Sequence, residues 1–418
     1  MPYALVYTGT PMTIQKPLLV LFASAMAFAQ THWVGTWGAS PAPQLPDAAQ
    51  MYVSKLLFEN QTLREIVHVS IGGDTVRVHL SNAYGGQVVA VGAAHIAVRA
   101  KDSAIVPGSD RMLTFGGRTT VTLSTNAPAL SDPVKLDVPA GGDLAISIYL
   151  PKAVAGAGIH YGAQQTSYVG KGDVTAAESI ADPQTIGSWV FLTGVDVLAP
   201  ESASAVVAFG DSITDGALST FNANHRWPDF LAQRLRERGG PQIGVLDEGI
   251  GGNRILRDPA DNVRFGMNAL ARFDRDVLSQ PGVKYVIVLE GINDLGHYGA
   301  STPAAERPGA EDLIAGLSQM IERAHERGLK IFGATLLPFA GTAFPGYYTA
   351  EKDAVRGKVN DWIRTSKAFD GVVDFDKAVR DPNRPDMMLP AYDGGDHLHP
   401  GDNGYRAMGA AIDLTLFQ

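Results

Sequence analysis

From about residue 201 onward the chain alternates short, continuously apolar runs with longer amphipathic stretches. The apolar runs fall at 205–209, 242–247, 285–289, 330–336 and 371–375. Stretches with apolar residues three or four apart lie between them, at 227–238, near 266–279, at 310–327 and at 352–366, and a last one follows Asp402. A strand that is apolar on both sides must be covered on both faces. The alternation therefore predicts an α/β domain over 201–418, with helices above and below a parallel sheet.

Residues 32–200 follow a different pattern. The run 66–71 leads through Gly72-Gly73-Asp74 into the run 75–80, and alternating side chains around a glycine-containing turn predict a hairpin. Further short runs follow at 88–99, 119–124, 134–138, 144–150 and 189–198, with no long apolar period of 3.6 residues between them. An all-β domain of sandwich or jelly-roll kind is expected over 32–200. The 46 glycines and 25 prolines suit the many turns it needs. The junction is expected near Ala199-Pro200-Glu201-Ser202-Ala203-Ser204, a small, Pro- and Ser-containing connector.

Near the N-terminus, Lys16 precedes the apolar run 17–29, and Ala27-Phe28-Ala29 has the small-x-small form of a cleavage site. Residues 1–29 are thus expected to be a signal peptide cut near Gln30, making the protein secreted or periplasmic. The run is short for a membrane span, and no other stretch reaches that apolar length, so no stable membrane span is expected. Cysteine is absent, which removes disulfides, thiolate zinc sites and cysteine nucleophiles together. A net charge of −9 argues against nucleic acid as a partner.

Ligands of open parallel sheets bind beyond the carboxyl ends of the strands, and four unusual segments fall there. Gly210-Asp211-Ser212-Ile213-Thr214 follows the first apolar run, where a serine can stand exposed and the N–H groups opening the next helix can hold an oxyanion. Most serines in such a tripeptide are turn residues or helix caps. Gly249-Ile250-Gly251-Gly252-Asn253 lets the main chain approach a ligand, and reads equally as a connector. Glu290-Gly291-Ile292-Asn293-Asp294 offers a side-chain amide that could donate to a developing negative oxygen, although a lone Gly-x-Asn is usually a plain turn.

The fourth segment is Asp393-Gly394-Gly395-Asp396-His397-Leu398-His399-Pro400. An aspartate three residues before a histidine can turn back to bond the imidazole, fixing its tautomer and leaving Nε2 free for a proton. His397 competes for that role. Asp396, His397 and His399 could also form a metal cluster, but no HExxH helix or cysteine ligand supports one.

Taken together and in this order, Gly-Asp-Ser-Ile-Thr, Gly-Gly-Asn, Gly-x-Asn-Asp and Asp-x-x-His-Pro resemble the sequence blocks of the GDSL/SGNH hydrolases, over about residues 204–418. The resemblance implies a flavodoxin-like three-layer fold. It makes Ser212 the nucleophile, His399 its base and Asp396 the residue that orients the base. The Ser212 and Gly252 N–H groups and the Asn293 amide would form the oxyanion hole, with no metal or cofactor. No GxSxG occurs, so the nucleophile elbow of the α/β-hydrolases is not the pattern.

Residues 32–200 more loosely resemble the β-rich N-terminal domain of some larger bacterial members, described as acylesterases or lysophospholipase-like. Thr62-Leu63-Arg64, Arg77-Val78-His79-Leu80-Ser81-Asn82 and Thr114-Phe115-Gly116-Gly117 carry that likeness.

Asn253, Asp294, His297 and Tyr298 are candidates to line the cleft. Asp211 is expected to be a turn residue, Arg254 to be exposed or locally paired, and Trp227 and Trp362 to be core anchors. The expected substrate is a short acyl ester on a small molecule or a polysaccharide such as acetylated xylan. The alternatives are a lysophospholipase or general short-chain acylesterase and, from another class, a non-catalytic glycan-binding protein.

Overall fold

The computed structural model describes residues 1–5, 9, 31–44, 57–259, 262–299, 302–303 and 306–418. The apolar run 17–29 and the expected cleavage site lie outside the described residues.

Among the described residues, the C-terminal half is built on a five-stranded, all-parallel sheet. Its strands run, from one edge to the other, Ile243–Gly249, Ser204–Gly210, Val283–Leu289, Lys330–Ala334 and Gly371–Val373. Counted along the chain this is the order 2-1-3-4-5. The chain therefore leaves its first strand toward one edge and its third toward the other. The loops at the carboxyl ends of those two neighbours diverge and open a crevice between them. Every residue of Ser204–Gly210 is buried, as a central strand covered on both faces requires.

Helices Trp227–Arg238 and Asp402–Ala411 pack on each other, as do Ala310–Glu326 and Ala350–Thr365. Gly409 permits the first contact: a Cβ there would come within 2.6 Å of Phe230 Cβ. Trp227 is a fully buried core anchor beside Phe375, and Trp362 packs partly buried against Phe369.

Two expected elements end early because their last residues are used elsewhere. The run 330–336 stops pairing at Ala334, and the Leu336 N–H turns to Asn360 Oδ1 at 2.7 Å. The run 371–375 stops at Val373 because Asp374 caps helix Phe375–Val379. The helix expected near 266–279 is split into Ala269–Phe273 and a π-helical turn, Asp274–Leu278. That wider turn carries Asp276 inward, where it meets Arg272 at 3.1 Å.

Among the described residues, the N-terminal half contains two larger sheets, both antiparallel. One holds Thr31–Gly38, Leu192–Pro200 and Gly73–Ser81, with Pro128–Leu130 and Val134–Val138 on the last. The other centres on Gln61–His68, Asp143–Leu150 and Ala93–Lys101.

The hairpin expected across Gly72-Gly73-Asp74 does not form. Gln61–His68 and Gly73–Ser81 lie in different sheets, and residues 69–71 hand the chain from one to the other. The Val69 N–H bonds Gly142, the Ser70 N–H bonds Thr36, and Ile71 is held by the Thr36 hydroxyl. Gly72 serves a close approach, since a Cβ would come within 2.9 Å of the Ala140 nitrogen. The stretches 67–71 and 75–80 alternate apolar and polar residues, and that pattern alone does not distinguish pairing with each other from facing across a core.

The two halves share one apolar core. Gly35 lies against Leu246, with room for a Cβ only 2.9 Å from that side chain, and the Ser40 hydroxyl donates to Glu248 Oε2 at 2.6 Å. His160 Nε2 reaches Asp215 Oδ1 at 3.0 Å. A partly open cavity at this junction is lined in part by Trp37, Gln165, Trp189, Arg226 and Asp247.

Burial raises the Asp247 carboxyl from 3.8 to about 7, with Arg226 opposing and Asp215 adding to the rise. The folded chain thus holds a proton that the unfolded chain has released between those values, so stability falls as pH climbs through this window. Asp247→Asn is expected to flatten the stability–pH curve there. Urea midpoints for both proteins at pH 4, 5.5 and 7 test this, and parallel curves would refute it.

Candidate active site

The first turn is set by crowding. Gly210 ends its strand where a Cβ would lie 2.7 Å from the Leu289 carbonyl oxygen, so only glycine lets the backbone bend there. Asp211 caps helix Ser212–Asp215 by accepting the Ile213 N–H at 2.9 Å. It is fully buried, and burial drives its carboxyl up to about 7 although the Ile213 N–H and the His399 charge oppose the shift. The expected turn residue is therefore a buried helix cap.

Ser212 Oγ lies 2.8 Å from His399 Nε2, across 187 residues of sequence. His399 Nδ1 faces Asp396 Oδ2 at 2.6 Å, and Asp396 Oδ1 accepts the N–H groups of Leu398 and His399 at 3.0 and 2.8 Å. Burial pushes the Asp396 carboxyl upward, but the hydrogen bond and charge of His399 outweigh it and hold it down at about 2. The carboxylate is thus ionised throughout the range in which an imidazole titrates.

His397 takes no part in this set. Its backbone is left-handed, at φ 58°, and its Nδ1 bonds Asp393 on an exposed surface. Asp396, His397 and His399 consequently do not converge. Among the described residues, no three His, Asp or Glu side chains are placed to hold a metal ion.

The glycine loop closes one side. A Cβ on Gly251 would sit 3.9 Å from Ser212 Cβ. Gly252 has φ 78° and lies against the ring of Phe265, which leaves no room for a side chain. On the other side, Asn293 stands in helix Ile292–Gly296, entered through Gly291 at φ 122°. Asn293 is buried. Its Oδ1 accepts the Tyr347 hydroxyl at 2.8 Å, while its Nδ2 has no partner among the described residues.

Two of the four lining candidates are misplaced by the sequence reading. Asn253 points into the protein: its Nδ2 donates to the carbonyls of Phe265 and Met267, both at 2.7 Å, and its Oδ1 accepts from Arg272. Asp294 is also turned inward, holding the N–H groups of Ile255 and Leu256 at 2.8 and 3.0 Å. Burial raises its carboxyl to about 6 against those same bonds. In both cases a short polar side chain serves the buried backbone of a neighbouring loop rather than the cleft.

His297 is exposed and packs between the rings of Phe265 and Tyr347, 5.3 and 5.4 Å away. Tyr298 lies over the Lys352 ammonium at 4.3 Å. Arg254 is half-buried, and its charge lowers the carboxyl of Asp294.

Sequence reasoning missed Arg272 and Tyr347. Arg272 is fully buried, and its guanidinium bonds the Gly210 carbonyl, the Glu248 carbonyl, Asn253 Oδ1 and Glu290 Oε1 at 2.8, 2.8, 2.8 and 3.2 Å. One cation thereby ties the first three motif loops together. Its sole sequence signal is a charged residue inside an apolar helical window, which most often marks an exposed position.

An α/β sheet that brings a Gly-Asp-Ser turn, a glycine loop, a Gly-x-Asn helix and an Asp-x-x-His loop to one crevice defines the GDSL class of hydrolase domain. Residues 208–407 match the GDSL-like Lipase/Acylhydrolase family. Solved structures to which part of the chain is similar include a GDSL-like lipase from Bacteroides thetaiotaomicron, 24% identical, covering 51% of this chain and 88% of its own, with a TM-score of 0.37. An aryl esterase from M. smegmatis is 19% identical over 50% of this chain and 96% of its own, with a TM-score of 0.40. A carbohydrate acetylesterase from Sinorhizobium meliloti is 18% identical over the same shares, with a TM-score of 0.38. No curated protein matches the chain.

Proposed function

We propose that the protein is a serine esterase that hydrolyses short-chain acyl esters through a covalent acyl-serine. The observation that carries this reading is the unbroken contact from Ser212 Oγ to His399 to an ionised Asp396. Ser212 Oγ attacks the ester carbonyl as His399 Nε2 takes its proton, and Asp396 stabilises the imidazolium that results. The tetrahedral oxyanion is received by the N–H groups of Ser212 and Gly252 and by the Asn293 amide. Collapse of this intermediate breaks the bond to the alcohol oxygen, which takes its proton from His399. Water activated by His399 then releases the acid and frees Ser212.

A serine-directed phosphonate is expected to add one equivalent to Ser212, read by peptide mass; labelling elsewhere, or none, refutes the scheme. Asn293→Ala removes one oxyanion donor and is expected to lower kcat by about a hundredfold with KM little changed. Steady-state kinetics on p-nitrophenyl acetate measure this.

For the substrate, we propose an acetyl or other short acyl ester carried by a polysaccharide such as acetylated xylan, met outside the cytoplasm after removal of residues 1–29. The export segment read from residues 16–29 and the β-rich half joined to the hydrolase support this. A second reading, a lysophospholipase or general short-chain acylesterase, is favoured by the apolar rim. Phe344 is exposed with its ring edge-on to His399, centroids 6.3 Å apart, and Leu218 is exposed against Gly394.

Rates on acetyl, butyryl and octanoyl esters, acetylated xylan and lysophosphatidylcholine separate the two. A steep acetyl preference with release from xylan supports the first, and activity that rises with chain length supports the second. We also read the two parts as a flavodoxin-like domain and a β-sandwich, supported by the 2-1-3-4-5 strand order and by the two antiparallel sheets.

A further inference from the structure

We propose that Tyr347 is a positioning residue for ester hydrolysis: it sets which end of the Asn293 amide is left for the substrate. The inference rests on the reading of Asn293 as an oxyanion donor.

A carboxamide is nearly symmetrical in shape, so turning it over costs little in packing while exchanging donor for acceptor. The exchange matters here. With its oxygen toward the reacting carbonyl, Asn293 would oppose the negative charge that develops there; with its amino group in that place, it would stabilise that charge. Something must therefore tell the two ends apart.

The Tyr347 hydroxyl donates to Asn293 Oδ1 at 2.8 Å and leaves Nδ2 without a partner among the described residues. Both side chains are buried, Asn293 at 3% exposure and Tyr347 at 5%, so water does not readily substitute for either. Burial raises the Tyr347 phenol well above 10, and the charges of Asp211 and Asp294 add to the rise. The hydroxyl thus keeps the proton that it donates to Asn293 Oδ1.

Tyr347 is itself held in place by the helix that carries Asn293. Its ring lies flat on Gly296, one turn beyond Asn293, where any Cβ would overlap it. Around the ring pack His297, Phe339 and Phe344, with centroids 5.4, 6.0 and 6.0 Å away. From helix Ala350–Thr365, the buried Lys352 ammonium then donates to the carbonyls of Gly296, Tyr298, Gly346 and Tyr347 at 3.1, 2.9, 2.8 and 3.2 Å. One cation so fastens the Tyr347 segment to the end of the Asn293 helix. The phenol and the amide keep their register because both ends of the link are tied to the same short helix.

The test is a double-mutant cycle in the full chain on p-nitrophenyl acetate, with Tyr347→Phe, Asn293→Ala and the pair. Phenylalanine keeps the ring on Gly296 and removes only the hydroxyl. Tyr347→Phe is expected to lower kcat by about tenfold with KM unchanged. Its affinity for a boronic acid, which forms a tetrahedral adduct on a serine, should fall by the same factor. The pair is expected to be no slower than Asn293→Ala alone, because the hydroxyl acts only through that amide.

A Tyr347→Phe protein within about twofold of wild type, or losses that multiply in the pair, overturns the inference. Melting curves by circular dichroism accompany the kinetics; a kcat loss that tracks lost folded protein also counts against it. Ser212→Ala is the separate control. Full hydrolysis by that variant overturns the esterase reading itself, whereas an inactive Ser212→Ala beside an unaffected Tyr347→Phe overturns only the role of Tyr347.

Discussion

Ser212→Ala is expected to lower kcat on p-nitrophenyl acetate by between about four and six orders of magnitude, with little change in KM. The size follows from what the residue does. Without Oγ no acyl-serine can form, and what remains is attack by water assisted by the oxyanion donors. His399→Ala is expected to cost a similar factor, because a serine hydroxyl left unassisted is a weak nucleophile. The two losses should not multiply, since Oγ and Nε2 meet at 2.8 Å and act on one proton. A double variant slower than either single one by the product of their factors would contradict that coupling. Wild-type rates in Ser212→Ala would remove the proposed mechanism altogether.

Arg272→Met is expected to have the largest effect on stability, a loss of about 3–5 kcal/mol. The guanidinium is fully buried, with its carbon 4.0 Å from the centre of the Phe209 ring. It also bonds Asp276 Oδ2 and the Ser40 hydroxyl, both at 3.1 Å. Methionine fills much of the volume but leaves the Gly210 and Glu248 carbonyls and the Glu290 carboxyl group short of a donor in a buried interior.

Arg272→Lys restores charge without the planar fork, and only part of the loss should be recovered. Urea unfolding of the three proteins measures the difference, and equal stability of Arg272→Met and wild type would show the network to be silent. Because the same cation spans Ser40 of the β-rich half and three motif loops, the midpoint and kcat are expected to fall together.

The parallel sheet was readable in the sequence because its strands are apolar at consecutive positions, as Ser204–Gly210 illustrates. Helix Trp227–Arg238 was readable to its ends for a similar local reason: Pro228 sits at its start and Gly239 closes it. The side chains that the structure brings together around Ser212 were readable as types in order, since Gly-Asp-Ser and Asp-x-x-His each set particular side chains at fixed local spacing.

The failures share one cause. Residues 66–80 look like a hairpin because period-two alternation reports that one face is buried, and does not report what buries it. Asn253 and Asp294 look like cleft residues because they adjoin motif glycines, but whether a short polar side chain faces a cleft or a neighbouring backbone depends on a partner remote in sequence. Phe265, Met267, Ile255 and Leu256 supply those partners.

What the sequence determined by itself is the set of local preferences: which runs become buried strands, which become helices, and which turns must be glycine. Those depend on side chains within a few residues of each other. The tertiary structure alone decided that His397 turns away to Asp393, and that Arg272 underlies three loops. It alone also turned the oxygen of Asn293 to Tyr347. Each of these depends on distances between atoms far apart along the chain, which are set by the packing of the whole core rather than by any segment.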